Sequence, residues 1–516
     1  MKRMYLLLLT LILVFCTVGF AASAETQYTT TLTVEIFDRG NMPAEYGTVD
    51  NNRWTRWIQE NFGDPNGIKV EYYPIPRSDE ITKLNTLMAS GDAPNIVFGY
   101  NEPQMQNFAL QGGLYDLTDL IEEYGDNIKA NLDSNYGWVD GKRYAIYANR
   151  LARDITAHFI RKDWLDQIGY TLEKNDDGFY HMSVEDLTAC LAKFKELDLD
   201  NTGLEIFPIG MTGSQYCTRS TRGIYEAFFN ADNIDERTRA CVPIIQWDGY
   251  YDALVWMNDA YNKRWIDPDF IADTDTSYKL LNNHIVTSRC GYWTHDSWYG
   301  VAKDGVFEQL YKENPNAEIV AFQLDNVHGK QMTWTYAPTG MCIYVPATST
   351  KEQAIAAVKY LNFLADYNTH VTLTYGFEGE HYEIVDGAPQ YIDLDYQASD
   401  MISTNDLAIM FNGDFTYGEK MIVLACPEST RELRATLLKI ALVGGYVDYS
   451  FDRPILSVGE HGGNLSSKGG ELLAECIMCK PELLKTTFET KVNEYMNSGG
   501  TEVMDEKFAA YDDMNK

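Results

Sequence analysis

Positive charge is scarce in this chain. Its 516 residues carry 42 Lys and Arg against 75 Asp and Glu, a formal net charge of −33. Such a balance repels nucleic acid and anionic membrane surfaces, so neither is an expected partner. Cysteine is sparse too: there are nine, and those after Cys16 are scattered, which excludes a dense disulfide framework. Enzyme signatures readable in sequence are missing, with no H-E-x-x-H, no G-x-S-x-G and no glycine-rich phosphate loop. No low-complexity tract or internal repeat is visible, and beyond the N-terminus no apolar run approaches the ~20 residues that span a bilayer. A glycosidase needs only two carboxylates roughly 5–10 Å apart. A secreted carbohydrate-active enzyme therefore survives these exclusions as the rival reading, with a peptide-binding or surface-adhesion protein as a third.

What is present begins with an address. Lys2 and Arg3 precede an apolar run over 6–20 that ends in Ala22-Ser23-Ala24. That order predicts an export signal, residues 1–24, cut after Ala24. Cys16 follows Leu13-Val14-Phe15, a poor context for lipid attachment, so a protein free of that anchor is expected in the cell envelope, periplasmic or extracellular. The length is too great for one ordinary core and predicts two lobes.

Residues 31–37 alternate like a half-buried strand, Trp54, Trp57, Ile58 and Phe62 recur at helical spacing, and 68–73 form a second strand. A helix over 78–89 stops at Ser90-Gly91-Asp92-Ala93-Pro94, and 95–98 make a third strand. This β-α-β-α-β opening predicts an α/β fold with a mainly parallel sheet, whose ligands bind beyond the carboxyl ends of the strands. A second α/β unit is expected from Phe159, with a long helix over 184–197. Strand 340–345 and helix 351–366 read as additions to an existing sheet, and the last hundred residues are mostly helical. Cys476-Ile477-Met478-Cys479 lacks a second ligand pair and reads as buried or free thiols. A Cys217 to Cys241 disulfide stays open.

Six stretches in fixed order carry a resemblance. They are 84–97 (LNTLMASGDAPNIV), 111–118 (QGGLYDLT), 141–146 (GKRYAI), 160–165 (IRKDWL), 378–382 (EGEHY) and 499–503 (GGTEV). Together they resemble the extracellular solute-binding proteins of carbohydrate ABC transporters, the large branch that includes alginate-oligosaccharide binders and LplA-like lipoproteins. The resemblance implies a periplasmic-binding-protein-like fold: two α/β lobes, each discontinuous, joined by hinge strands around a ligand cleft that closes on binding. The expected division is 25–150 with 331–400 for lobe 1, and 151–330 with 401–516 for lobe 2. Crossings are placed near 148–154 and 330–334. It implies no catalysis and no required cofactor, a monomer, a mono- or oligosaccharide ligand, and the permease subunits of an ABC importer as partner.

A pyranose packs its axial C–H groups on an aromatic face while its hydroxyls need paired donors and acceptors. Trp293, Asp296 and Trp298 in one loop-like aromatic stretch, and Trp334 with Tyr336 in another, suit that chemistry. Trp54, Trp57, Trp164 and Trp256 sit among aliphatic residues and are assigned to the core. The family cleft, carried onto this sequence, adds Tyr100, Asn101 and Glu102 after the third strand, Tyr147 and Arg150 in the hinge, Gln215 and Tyr216 in a turn, and Glu378. Arg39 and Arg150 would grip a carboxylate if the sugar were a uronic acid, although ordinary surface ion pairs explain them equally well. Asp198, Asp200, Thr202, Leu204 and Glu205 stand where some relatives carry an EF-hand-like calcium loop. Ile206 and Phe207 replace its later acidic pair, and a plain polar helix-to-strand turn is the preferred reading over a structural calcium.

Overall fold

The computed structural model describes residues 28–213, 218–274, 277–385, 387–413, 417–451 and 453–516. The expected signal 1–24 with Cys16, and the turn residues Gln215, Tyr216 and Cys217, lie outside them.

Strand β1 (Thr30–Asp38) runs parallel to β2 (Ile68–Pro76), from Thr30 against Ile68 to Asp38 against Pro76. Helix α1 (Arg53–Ile58) between them starts on a capping box, in which Asn52 accepts the Trp54 and Thr55 N–H groups and Thr55 answers the Asn52 N–H. Helix α2 (Glu80–Ser90) ends at Gly91, whose φ of 79° closes the helix in the left-handed region. Strand β3 (Val97–Gly99) follows, joined to β1 through Ile96, which hydrogen-bonds with Thr33 and Glu35. The parallel opening expected from periodicity is thus present. After helix α3 (Glu102–Leu110), β4 (Ala145–Arg150) completes the first pass through this unit.

The chain then crosses at 151–155 into β5 (Thr156–Arg161). Short strands β6 (His181–Met182) and β7 (Ile209–Gly210) flank helix α4 (Val184–Glu196), and helix α5 (Thr218–Glu226) follows. With β8 (Tyr292–Asp296) and β9 (Ile319–Leu324) they form a second sheet in the order β6-β9-β5-β8-β7. Strand β10 (Thr333–Trp334) leads back to β11 (Thr339–Tyr344), which lies antiparallel between β3 and β4. Helix α6 (Lys351–Leu364) covers that sheet, and β12 (Phe411–Asn412) pairs with β4. Helix α7 (Glu428–Ile440), β13 (Gly445–Tyr446), paired with β10, and the long helix α8 (Leu456–Met478) belong to the second unit.

Two separate cores mark the units. Leu32, Ile36, Phe98, Ile146 and Ile343 lie in the first, while Trp164, Leu191, Phe194, Tyr292, Leu472 and Ile477 lie in the second. Although 401–516 is expected in the second lobe, Met401, Leu407, Met410 and Phe411 pack in the first core, β12 extends its sheet, and Met421 packs with Tyr375, Tyr382 and Ala388. The return crossing falls at 335–338, just beyond the expected 330–334, because β10 and the Thr335 N–H are tied to β13. The two crossings are laced together. Arg150 donates its N–H to the Pro338 carbonyl (2.8 Å), and Tyr336 donates to Arg153 (3.0 Å).

Candidate ligand cleft

Strands β1, β3 and β4 run the same way, so Arg39, Tyr100 and Arg150 stand at one edge of the first sheet, beyond their carboxyl ends. The crossing residues Trp334 and Tyr336 meet that edge. From the second unit, α5 brings Arg219 and Arg222 to the same place. It can do so because Gly223 lies against β8; a Cβ there would stand 2.7 Å from the Thr294 hydroxyl and 2.8 Å from the His158 ring.

The result is a ladder of rings and guanidinium groups. Arg150 lies 4.1 Å over the Tyr336 ring, the Tyr336 and Trp334 centroids are 5.7 Å apart, and Arg222 lies 4.0 Å over Trp334. Each such stack is worth about 0.5–2 kcal/mol, more where water is excluded. Arg153 donates from Nε to the Tyr336 carbonyl (2.9 Å). Trp334, Tyr336, Thr156, Arg219, Arg222 and Asp296 border a cavity of ≈170 Å³. A larger one, ≈470 Å³, opens beside Tyr100 and Ala148 and is walled by Met341, His370, Met401 and Phe411.

The remaining expected residues divide sharply. Asp296 faces the smaller cavity, ion-paired to Arg219. Tyr100 is exposed at 43%. Glu102 accepts from the Ser450 hydroxyl, and burial raises its pKa. Tyr147 is buried with its hydroxyl beside Glu102 but short of a full hydrogen bond. Asn101 is spent on capping α3, accepting the Gln104 N–H. Arg39 is held by two 2.8 Å bonds to Asp406, and Glu378 is exposed in the loop ahead of the hairpin at Tyr382–Val385.

Trp293 is a correction. It is wholly buried, packed on Phe159 and Phe307, because the stretch expected to be an open loop is strand β8, covered on both faces. The same burial, helped by Arg219, pushes His295 down to about 3. Trp298 is exposed at 46% and carries the Arg434 guanidinium 3.7 Å over its ring. Arg219, Arg222 and Arg153 were not foreseen. Their one sequence signal is a pair of arginines three apart on a helix, Arg219 and Arg222, which share a face.

The loop compared with a calcium site does not suit the ion. Asp198 accepts the Gly203 N–H (2.6 Å), the Thr202 N–H (2.8 Å) and the Thr202 hydroxyl (3.1 Å), and these donors hold its carboxyl below the usual range. Asp200 accepts Arg161 at 2.9 Å, and Glu205 pairs with Lys195 and Arg264 at 3.4 and 3.2 Å. A guanidinium 2.9 Å from a would-be ligand oxygen puts positive charge where a divalent cation would sit. Leu204 adds only a backbone carbonyl to choose from. The thiols of Cys241, Cys476 and Cys479 are free.

Two α/β units joined by laced crossings define the two-lobed periplasmic-binding-protein-like class. The chain belongs to the bacterial extracellular solute-binding family, whose model matches residues 57–370. It is similar to the lipoprotein LipO of Bacillus subtilis, 24% identical over 330 residues, 62% of either chain. It is also similar to the polygalacturonan/rhamnogalacturonan-binding protein YtcQ of the same organism, 23% identical over 318 residues, 60% of either chain. The match thus spans about 60% of the length of these curated relatives. Among solved structures, the Streptococcus pneumoniae ABC-transporter substrate-binding protein FusA in complex with kestose superposes with a TM-score of 0.67 at 16% identity, covering 94% of this chain and 99% of that one. Among the described residues no helix is long and apolar enough to cross a membrane.

Proposed function

We propose that this protein is exported, captures an oligosaccharide between its lobes, and presents the closed form to the permease of an ABC importer. The observation that carries the reading is the half-buried ring pair Trp334–Tyr336, flanked by Arg150 of the first unit and Arg222 of the second and bordering a cavity with Thr156, Arg219 and Asp296. Ring faces suit the C–H side of a pyranose, while Asp296, Thr156 and the arginines suit its hydroxyls. Tyr100, Arg150, Arg219, Arg222, Asp296, Trp334 and Tyr336 form the binding set, with Trp298 at the rim. The relatives whose names record polygalacturonan or fructooligosaccharide binding support carbohydrate as the ligand class.

We place the lobe division at the crossings, with residues 28–150 and 339–413 in one lobe and 156–334 and 428–516 in the other. Closure is favoured by a ligand that touches both lobes, because only the closed form makes both sets of contacts. Calorimetry and thermal-shift measurements against a broad glycan library test the reading. Binding of at least one oligosaccharide with a melting-temperature increase is the expected result; silence across the library with shifts for peptides would overturn it. Release of reducing ends from oligosaccharides by the purified protein would instead favour the enzyme.

A further inference from the structure

We infer that the ligand is an acidic oligosaccharide, a uronate, whose carboxylates are met by Arg150 of the first lobe and Arg222 of the second, at opposite ends of the ring ladder. The inference rests on the carbohydrate reading above and narrows it.

Arg150 and Arg222 have no carboxylate within ion-pair distance among the described residues. The Arg150 Nε is buried and without a hydrogen-bond partner. Arg222 donates from Nε to the Tyr225 hydroxyl at 3.3 Å. Glu226, one turn further on, accepts the Trp334 N–H (3.0 Å), and burial pushes its carboxyl up to about 8 against the opposing pull of the Arg222 charge. A shortage of acids does not explain this, since the chain has 75 of them. Two wholly buried guanidinium groups are answered by carboxylates, Arg434 by Asp154 at 2.6 Å and Arg161 by Asp163 and Asp200 at 2.6 and 2.9 Å, while buried Arg143 donates to the Asp133 carbonyl at 3.4 Å.

The manner of holding matters as much as the missing partner. Arg150 and Arg222 are fixed through their faces, stacked on Tyr336 and Trp334. Stacking leaves in-plane N–H groups available, on Arg222 those other than the Nε that Tyr225 takes, and such an edge matches a carboxylate in two-pronged fashion. A neutral sugar would offer these half-buried cations only hydroxyl oxygens. The nearby acids are otherwise engaged, Asp296 by Arg219 and Glu102 by Ser450, so the ligand's carboxylate would not displace an internal partner of either arginine.

The test is calorimetry on the full mature chain with trisaccharides of galacturonate, glucuronate and mannuronate, each beside its methyl ester, which keeps the rings and removes the charge, and beside neutral trisaccharides. At least one uronate should bind about 100-fold more tightly than its ester. Arg150→Gln and Arg222→Gln should each weaken that uronate about 10- to 100-fold, as loss of a charge-assisted bond does, and narrow the gap between the acid and its ester. Equal affinity for acid and ester, or tighter binding of a neutral sugar, overturns the inference while leaving carbohydrate binding intact. No binding of any sugar overturns both. The acid-against-ester comparison uses the unaltered protein and so does not depend on either variant folding.

Discussion

Two groups of arginines in this molecule are built to opposite rules. Arg434 and Arg161 are buried, and each meets carboxylates of the same chain: Asp154 for one, Asp163 and Asp200 for the other. Arg150 and Arg222 are half-buried over rings at the crossing and meet none within ion-pair distance among the described residues. Taking a cation out of water costs several kcal/mol unless something answers it. Inside the second lobe the fold supplies the answer. At the crossing it is left to the ligand.

The sharpest way to break this contrast is to remove an internal partner. Asp154 and Arg434 have no exposed side-chain surface, and the Asp154 carboxylate also takes the Ser297 hydroxyl at 2.5 Å. Asp154→Ala should cost about 3–5 kcal/mol in urea unfolding, because it strands a buried cation. The double variant Asp154→Leu with Arg434→Met should recover most of that loss. If the single variant is near neutral, the distinction between answered and unanswered arginines fails.

A buried carboxyl tests the same rule with the sign reversed. Glu35 lies inside β1 with one oxygen on the Phe98 N–H (3.0 Å) and the other unpartnered. Burial, with Glu80 adding to it and Arg77 and the Phe98 N–H opposing, raises its pKa from 4.5 to about 8. A raised carboxyl gives stability that is whole below the unfolded pKa and is lost as pH climbs through the folded one. Over that window the loss is about 1.4 kcal/mol per pH unit. Glu35→Gln should therefore flatten the stability profile between about pH 4.5 and 8, with Glu226 supplying the slope that remains. Parallel profiles for the two proteins would show that Glu35 is charged in the fold.

At the crossing the expected effect falls on binding and spares the fold. Trp334→Ala removes one ring of the ladder and the support under Arg222. It should weaken the oligosaccharide by about 2 kcal/mol, roughly thirtyfold. Trp293→Ala should do the reverse, lowering stability by about 3–5 kcal/mol because that ring is core. If Trp293→Ala melts normally and loses the sugar, the burial argument is wrong.

That pair of tryptophans also shows what sequence can carry. Alternation over 31–37 and the stop at Gly91 were legible because one local rule governs each, and the structure has β1 and α2 there. Strand β8 defeats the same rule, since Tyr292 faces one core and Trp293 another, and even Thr294 and His295 are buried. With both faces covered, the alternation that distinguishes strand from loop disappears. Trp334 and Tyr336, two apart on an extended segment, kept their shared face and were found. Arg222 was not, because two arginines sharing a helix face, Arg219 and Arg222, acquire meaning only from what the other unit brings to them.

The smallest expected effect concerns the loop at Asp198–Glu205, where the fold again supplies its own cations. A calcium site of 10 μM affinity would stabilise the protein by about 2.7 kcal/mol at 1 mM ion. Here Arg161 already occupies Asp200, Lys195 and Arg264 share Glu205, and backbone N–H groups fill Asp198. Calcium would have to displace a guanidinium that is itself buried and would keep only Asp163 and the Ser288 hydroxyl as partners. The melting temperature in 1 mM calcium should therefore match that in excess chelator to within about 1 °C. Asp200→Asn should still destabilise modestly, since it halves the acidic surroundings of Arg161. A calcium-dependent rise of several degrees, abolished by Asp200→Asn, would mean that this loop releases its arginine to the ion, and that an answered arginine in this protein can be exchanged.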